Sequence, residues 1–187
     1  MNREEAIEEI MTLYREKGGT HYGEDVTQTE HAVQVGRLAE ADQQPDEVVV
    51  AAFLHDIGHL LSGHAEQMGG YGTRDHEGRG AAWLKERGFT NQVAELVKGH
   101  VAAKRYLTAV NPGYHDRLSD ASKRTLEYQG GPMSEEEVDA FQRDDLCDLH
   151  LKMRTWDEAG KDTSLDLDNI EFAPPPSPAQ KRLEKLG

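Results

Sequence analysis

The chain has 187 residues, a length that suits one domain and buries a core without staples. Lys and Arg number 21 against 35 Asp and Glu, a formal charge of −14, and so acidic a surface excludes non-specific attraction to nucleic acid or to an anionic membrane. The single cysteine, Cys147, has no internal disulfide partner, Met1 to Glu5 carry neither a basic flank nor an apolar run, and no stretch approaches the ~18 apolar residues of a membrane span; a cytoplasmic protein is expected.

In chain order, Ala6, Ile7, Ile10, Met11 and Tyr14 recur at helical spacing and predict a first helix over 3–17, which Gly18 and Gly19 end in a left-handed turn. Thr27 with Glu30 reads as a capping box opening a second helix to about Ala41. Pro45, Asp46 and Glu47 suit the start of a third, apolar nearly all round, from Val48 to about Leu61. Four of the eighteen glycines then fall within Leu61–Arg74 and predict a loop over whatever lies beneath. Further helices are expected over 76–87, 91–109 and 119–128, and one capped by Ser134 and Glu137 continuing to about Ala159. No segment alternates with period two over strand length, so the class is all-α, a helical bundle in one domain over 1–172. The run Ala173-Pro174-Pro175-Pro176-Ser177-Pro178 opens an extended arm, 173–187.

The chemistry is carried by the histidines, nine in all. His55 and Asp56 close an apolar helix where two adjacent ionisable side chains are costly to bury unpaired. A histidine bonded to its neighbour's carboxylate would satisfy them, and so would a metal ion, for which neutral imidazole and carboxylate are both ligands. His31 on the preceding helix, His76 opening the next, His100 within the long helix and Asp157 near the helical end favour the metal, because a bundle converges such side chains. His55 and His59 are four apart, as are His100 and Lys104, so each ligand shares a helix face with a second polar group about one turn away. Leu96 to His115 holds no acid but includes Lys98, Lys104 and Arg105, a positive field suited to an anionic substrate. The acidic runs Glu135-Glu136-Glu137 and Asp144-Asp145 read as solvated faces or caps.

The order His31, His55-Asp56, His76, His100, Asp157 resembles the signature of dinuclear-metal HD-domain proteins, a superfamily with both hydrolases and oxygenases. The segments Tyr22 to His31, His55-Asp56-Ile57-Gly58-His59, His76-Glu77-Gly78, His100 to Leu107, Gln129 to Met133 and Arg154 to Glu158 resemble the PhnZ-type oxygenases, mixed-valent di-iron enzymes that cleave the carbon–phosphorus bond of 1-hydroxyphosphonates. That resemblance spans about 18–161. It implies an HD-domain bundle around two irons, Fe(II)/Fe(III) in the active form, with Asp56 bridging, His31, His55 and Asp157 on one ion and His76 and His100 on the other. It also implies catalytic roles for Asp56, His59 and Lys104, a phosphonate held by His59, Lys104, Ser122, Thr125 and Arg154, and a substrate ammonium held by Glu24. The family often places a temporary iron ligand, a tyrosine, three residues before that glutamate; here the position is His21, with Tyr22 beside it, and both are candidates.

The expected partners are therefore a small anionic hydroxyphosphonate and dioxygen, with 2-amino-1-hydroxyethylphosphonate giving glycine and phosphate as the favoured reaction. The alternatives are its trimethylammonio analogue as substrate, and a dinuclear phosphohydrolase in which the same ligands hold two divalent ions that generate hydroxide. An inactive ligand-binding HD module would not need all the ligands. Nothing in the sequence sets the oligomeric state.

Overall fold

The computed structural model describes residues 2–61 and 65–164, so the Pro-rich segment expected as an arm lies outside the described residues. Among the described residues nine α-helices follow in order: α1 (Arg3–Lys17), α2 (Gln28–Ala41), α3 (Asp46–Leu54), α4 (His76–Glu86), α5 (Asn91–Val110), α6 (Tyr114–Arg117), α7 (Asp120–Tyr128), α8 (Glu135–Gln142) and α9 (Cys147–Ala159). Among the described residues the one β feature is an isolated bridge between Gln67 and Thr73. The all-α expectation holds.

The helix starts follow from local chemistry. Asn2 with Glu5, Thr27 with Glu30 and Ser134 with Glu137 all form reciprocal capping boxes, each satisfying otherwise orphaned backbone N–H groups. The first helix does end at Lys17, but for a different reason than handedness: Gly18 is right-handed, with φ −68°. A Cβ there would sit 2.0 Å from Thr29 Oγ1 and 2.4 Å from the Tyr14 carbonyl, so glycine is required for close approach of α1 to the start of α2.

Two further expectations are corrected. The third helix does not run to Leu61; it stops at Leu54, His55 caps it, and a separate 3-10 turn spans Ile57–His59. His55 and His59 therefore do not share one α-helical face. The break falls at Asp56 (φ −100°, ψ 7°), and Gly58 explains why the turn is tight: a Cβ on it would lie 1.9 Å from the His76 carbonyl, so the chain after Asp56 packs directly on the start of α4. The last predicted helix is likewise two, α8 and α9, separated at Arg143–Leu146, where Asp144 Oδ1 accepts from the Leu146 N–H at 2.8 Å in a local turn that precedes the new start.

α5 is the spine. It packs on α4, α9 and α3, while α2 packs on α3 and α9. Its buried stripe includes Val93, Leu96, Val97, His100, Ala103 and Lys104, one continuous face on which apolar residues give way to polar ones toward the C-terminal half. The main core gathers Val35, Leu54, Ile57, Leu60, Leu84, Leu96, Val97, Met153 and Trp156. At about 1.5–3 kcal/mol for each fully buried Leu or Ile, this apolar layer supports the polar residues set beside it. A smaller cluster of Tyr114, Leu118 and Leu126 joins α6 to α7 on the far side of those polar residues. Among the described residues no helix is long and apolar enough to cross a membrane.

Candidate metal centre

Two ligand triads converge where α2, α3, α4, α5 and α9 meet: His31, His55 and Asp157 form one, Asp56, His76 and His100 the other, and in each the ligand atoms all lie within 4.8 Å of one another. Asp56 faces both. Its Oδ1 is 3.2 Å from His76 Nε2 and 3.4 Å from His100 Nε2, while its Oδ2 is 3.5 Å from His55 Nε2 and 3.8 Å from His31 Nε2. Asp157 Oδ1 is 3.3 Å from His31 Nε2 and 4.0 Å from His55 Nε2.

The protons on the rings show that this donor set fits metal ions. His31 Nδ1 bonds the Gly160 carbonyl at 2.8 Å, His55 Nδ1 the Ala52 carbonyl at 2.8 Å and His100 Nδ1 the Val97 carbonyl at 2.6 Å. A carbonyl only accepts, so each Nδ1 carries a proton and each ring turns its Nε2 inward. The Nε2 atoms of His31 and His55 are then 3.2 Å apart, and those of His76 and His100 are 3.0 Å apart. Paired lone pairs at that separation repel unless a proton or a cation sits between them, and carboxylate oxygens beside each pair complete a set suited to a divalent ion. Burial works to raise the Asp56 carboxyl, but the His55, His100 and His76 rings around it hold it well below the usual carboxylate range. Asp157 is held low in the same way against its own burial, by Arg154 and His31.

Arg154 has a role the sequence did not reveal. It is buried on α9, donates from Nη1 to Asp157 Oδ2 at 2.5 Å, from Nε to Tyr114 Oη and Glu158 Oε1 at 2.9 Å each, and reaches Ser122 Oγ at 3.5 Å from Nη2. It thus orients Asp157 while also lining the cleft beside the two triads.

That cleft is lined by Glu24, His59, Lys104, Ser122, Thr125, Gln129 and Lys161, together with Tyr71, Val101, Ala121, Arg154 and the ligands His31, Asp56, His76, His100 and Asp157. His59 stacks on His76 at 3.9 Å between ring centres, and its Nδ1 accepts the Thr73 N–H at 2.9 Å. A ring nitrogen that accepts has no proton, so His59 carries its proton on Nε2. Burial and the neighbouring His76 hold its pKa well below the usual histidine value, which keeps it neutral. Gly72 makes the stacking possible: its φ is +96°, and a Cβ would fall 2.4 Å from the His59 ring. Lys104 Nζ donates to Thr125 Oγ1 at 2.9 Å; burial first, then Arg154, lowers this ammonium to about 7. Glu24 Oε1 accepts from Ser119 Oγ at 2.7 Å and from Lys161 Nζ at 2.6 Å.

The sequence-derived candidates Glu24, His59, Lys104, Ser122, Thr125 and Arg154 all come together here with the metal triads. His21 and Tyr22 do not line the cleft: His21 is exposed, and Tyr22, at φ +43°, lies 5.0 Å from the His59 ring with its hydroxyl donating to the His59 carbonyl at 3.2 Å. The predicted positive stretch also divides. Arg105 turns away to a two-point pair with Glu137 at 2.8 and 2.9 Å, Lys98 is exposed, and Lys104 alone of the three lines the cleft. Glu137, read as a cap, is both a cap and that partner. Lys161, Thr73 and Tyr71 were not singled out from sequence, and Gln129 entered only as the start of the segment Gln129 to Met133; Lys161 lies beyond the end of α9 at Ala159, so no helical spacing pointed to it.

With this geometry in place, comparison with known proteins is informative. The model of the family described as HD domain matches residues 29–147. Among curated proteins the chain is 41% identical over 177 residues to the [1-hydroxy-2-(trimethylamino)ethyl]phosphonate dioxygenase (glycine-betaine-forming) of Leisingera caerulea, covering 93% of this chain and 90% of that one. It is 36% identical over 169 residues to the hydroxymethylphosphonate dioxygenase of Gimesia maris, covering 89% and 84%. It is 38% identical over 177 residues to an uncharacterized protein of Acanthamoeba polyphaga mimivirus, covering 91% and 81%.

Proposed function

The chain belongs to the HD-domain family, alongside relatives that are hydroxyphosphonate dioxygenases, and from that premise we propose that it is a di-iron oxygenase cleaving the carbon–phosphorus bond of a 1-hydroxyphosphonate. The observation that carries the reading is the division of Asp56, one oxygen toward His76 and His100 and the other toward His55 and His31. A carboxylate so placed would serve two ions, one held with His31, His55 and Asp157 and the other with His76 and His100. Two irons in mixed-valent form would supply the one-electron chemistry that dioxygen requires.

The protein's own groups bind and orient. Lys104, Ser122 and Thr125 stand together on one wall and offer an ammonium and two hydroxyls to a phosphonate, and Arg154 adds a second cation behind Ser122. His59, neutral and protonated at Nε2, lines the same cleft and supplies a donor without adding charge. A hydroxyphosphonate and one dioxygen together contain all the atoms of a carboxylic acid and phosphate, so the reaction needs no further co-substrate.

The substituent on the hydroxylated carbon is where the sequence expectation weakens. Glu24 was expected to receive the ammonium of 2-amino-1-hydroxyethylphosphonate, yet its Oε1 already receives Lys161 and Ser119. The hydroxymethyl substrate named for the Gimesia maris relative carries no such group, and the trimethylamino substrate named for the Leisingera caerulea relative carries a cation with no N–H donor.

The test of the reaction class is anaerobic loading with Fe(II) followed by oxygen. Two irons per chain and one phosphate released per dioxygen consumed are expected. Rapid oxygen-independent hydrolysis of a phosphomonoester, with no oxygen uptake on hydroxyphosphonates, would replace this reading with the phosphohydrolase.

A further inference from the structure

We propose that Lys161 is a specificity-determining residue: it occupies, against Glu24, the place a cationic substituent of the substrate would take, and so selects 1-hydroxyphosphonates with an uncharged substituent, of which hydroxymethylphosphonate is the smallest. The proposal rests on the hydroxyphosphonate reading above and concerns only which member of that class is preferred.

Lys161 is built into its position. Its preceding residue, Gly160, gives its carbonyl to His31 Nδ1 at 2.8 Å, and its following residue, Asp162, is clasped on both backbone groups by the buried side chain of Gln34, with Asp162 N–H to Gln34 Oε1 and Gln34 Nε2 to the Asp162 carbonyl at 2.9 Å each. The Lys161 backbone is thus pinned on both sides. From there Nζ reaches Glu24 Oε1 at 2.6 Å and comes within 3.4 Å of both Ser119 Oγ and Ser122 Oγ. Its side chain is 20% exposed and that of Glu24 23%, so the pair is partly withdrawn from solvent and lines the cleft.

The electrostatic consequence follows. Lys104 and Arg154 already place two cations beside the phosphonate wall, and Lys161 acts on Lys104 in the same repulsive sense as Arg154 does. With Lys161 paired, Glu24 has its charge cancelled and one oxygen filled. An incoming ammonium must expel Lys161, which would then stand unpaired next to two like charges. A trimethylammonium meets the same obstacle and gains nothing in exchange: among the described residues lining the cleft Tyr71 is the one phenyl or indole ring, so no aromatic cage receives it. Hydrogen in place of the charged arm leaves the Glu24–Lys161 pair intact. Hydroxymethylphosphonate and dioxygen then balance as formate and phosphate.

The experiment is anaerobic titration calorimetry of the iron-loaded protein with hydroxymethylphosphonate and with 2-amino-1-hydroxyethylphosphonate, in wild type, Lys161→Met and Lys161→Gln. Binding is read without turnover, and iron content and circular dichroism check each variant. Wild type is expected to favour hydroxymethylphosphonate, and both variants to shift the ratio of dissociation constants toward the amino compound by roughly ten- to a hundredfold, the size of one charge-assisted contact. Equal loss for both ligands would assign Lys161 to the phosphonate and overturn the proposal. An unchanged ratio in both variants, or a wild-type preference for the amino compound, would overturn it as well. Failure of wild type to bind either ligand, with iron bound, would instead remove the hydroxyphosphonate reading on which it rests.

Discussion

The two halves of the metal centre use the same kinds of ligand but are braced differently. In the His31, His55, Asp157 half every ligand is fixed from behind: two imidazoles by backbone carbonyls at 2.8 Å and the carboxylate by Arg154 at 2.5 Å. In the other half His100 has its carbonyl, but among the described residues His76 Nδ1 has no hydrogen-bond partner, and the Glu77 carboxylate stands 3.4 Å away. His31 and Asp157 line the cleft as His76 and His100 do, while His55 lies fully buried behind them. Bracing fixes ring orientation and raises ligand basicity, so the first triad is expected to hold an ion more firmly than the second.

The largest effect that would break this contrast is at the shared residue: Asp56→Ala should lose both ions, read as metal per chain on protein whose helicity is unchanged. His76→Ala should retain one ion and Arg154→Ala should weaken the opposite site by ten- to a hundredfold, the usual size of an outer-shell loss. If both variants lost the same ion, the assignment of the two halves would fail. Timed dialysis of wild type against a chelator sharpens the same point, with one ion leaving well before the other. Lys104→Ala should leave both ions in place and weaken substrate binding about ten- to a hundredfold. Because burial and Arg154 set the free Lys104 near 7, and an anion beside it raises that value, binding above pH 7 takes up a proton and affinity falls as pH rises through this window. The measurement is calorimetry in buffers of different ionisation enthalpy, with Lys104→Met as reference so that the phosphonate's own titration cancels. The smallest effect is at Gly72→Ala, which displaces the His59 ring and should lower turnover more than metal content.

What the sequence made legible was what depends on neighbours. The capping boxes at Thr27 and Ser134 are pairs three apart and appear as read. The convergence of the candidate ligands was legible because an adjacent His-Asp in an apolar run has few ways to be satisfied. The rest was hidden by contacts between distant segments. Gly18 reads as a left-handed stop until Thr29 is found against it, and Arg105 reads as part of a positive field until Glu137 is found holding it. The turn at Ile57–His59 depends on α4 arriving at Gly58, and Glu24 meets Lys161 only because the chain returns 137 residues later.

One bond described above also orders events in time. His31 is oriented by a carbonyl 129 residues further along the chain, so its half of the centre stays open while the ribosome is still making α9. The residues of the other half are all in place by His100, and at about 5–20 residues per second the remaining stretch to Gly160 takes roughly 3–12 s. The Asp56, His76 and His100 triad is thus complete in sequence well before the His31, His55 and Asp157 triad, and metal uptake is expected in that order. Stopped-flow refolding in the presence of metal should resolve the two uptakes in that sequence, the second coinciding with docking of α9 as reported by Trp156, whose indole N–H bonds Asp42 at 2.9 Å.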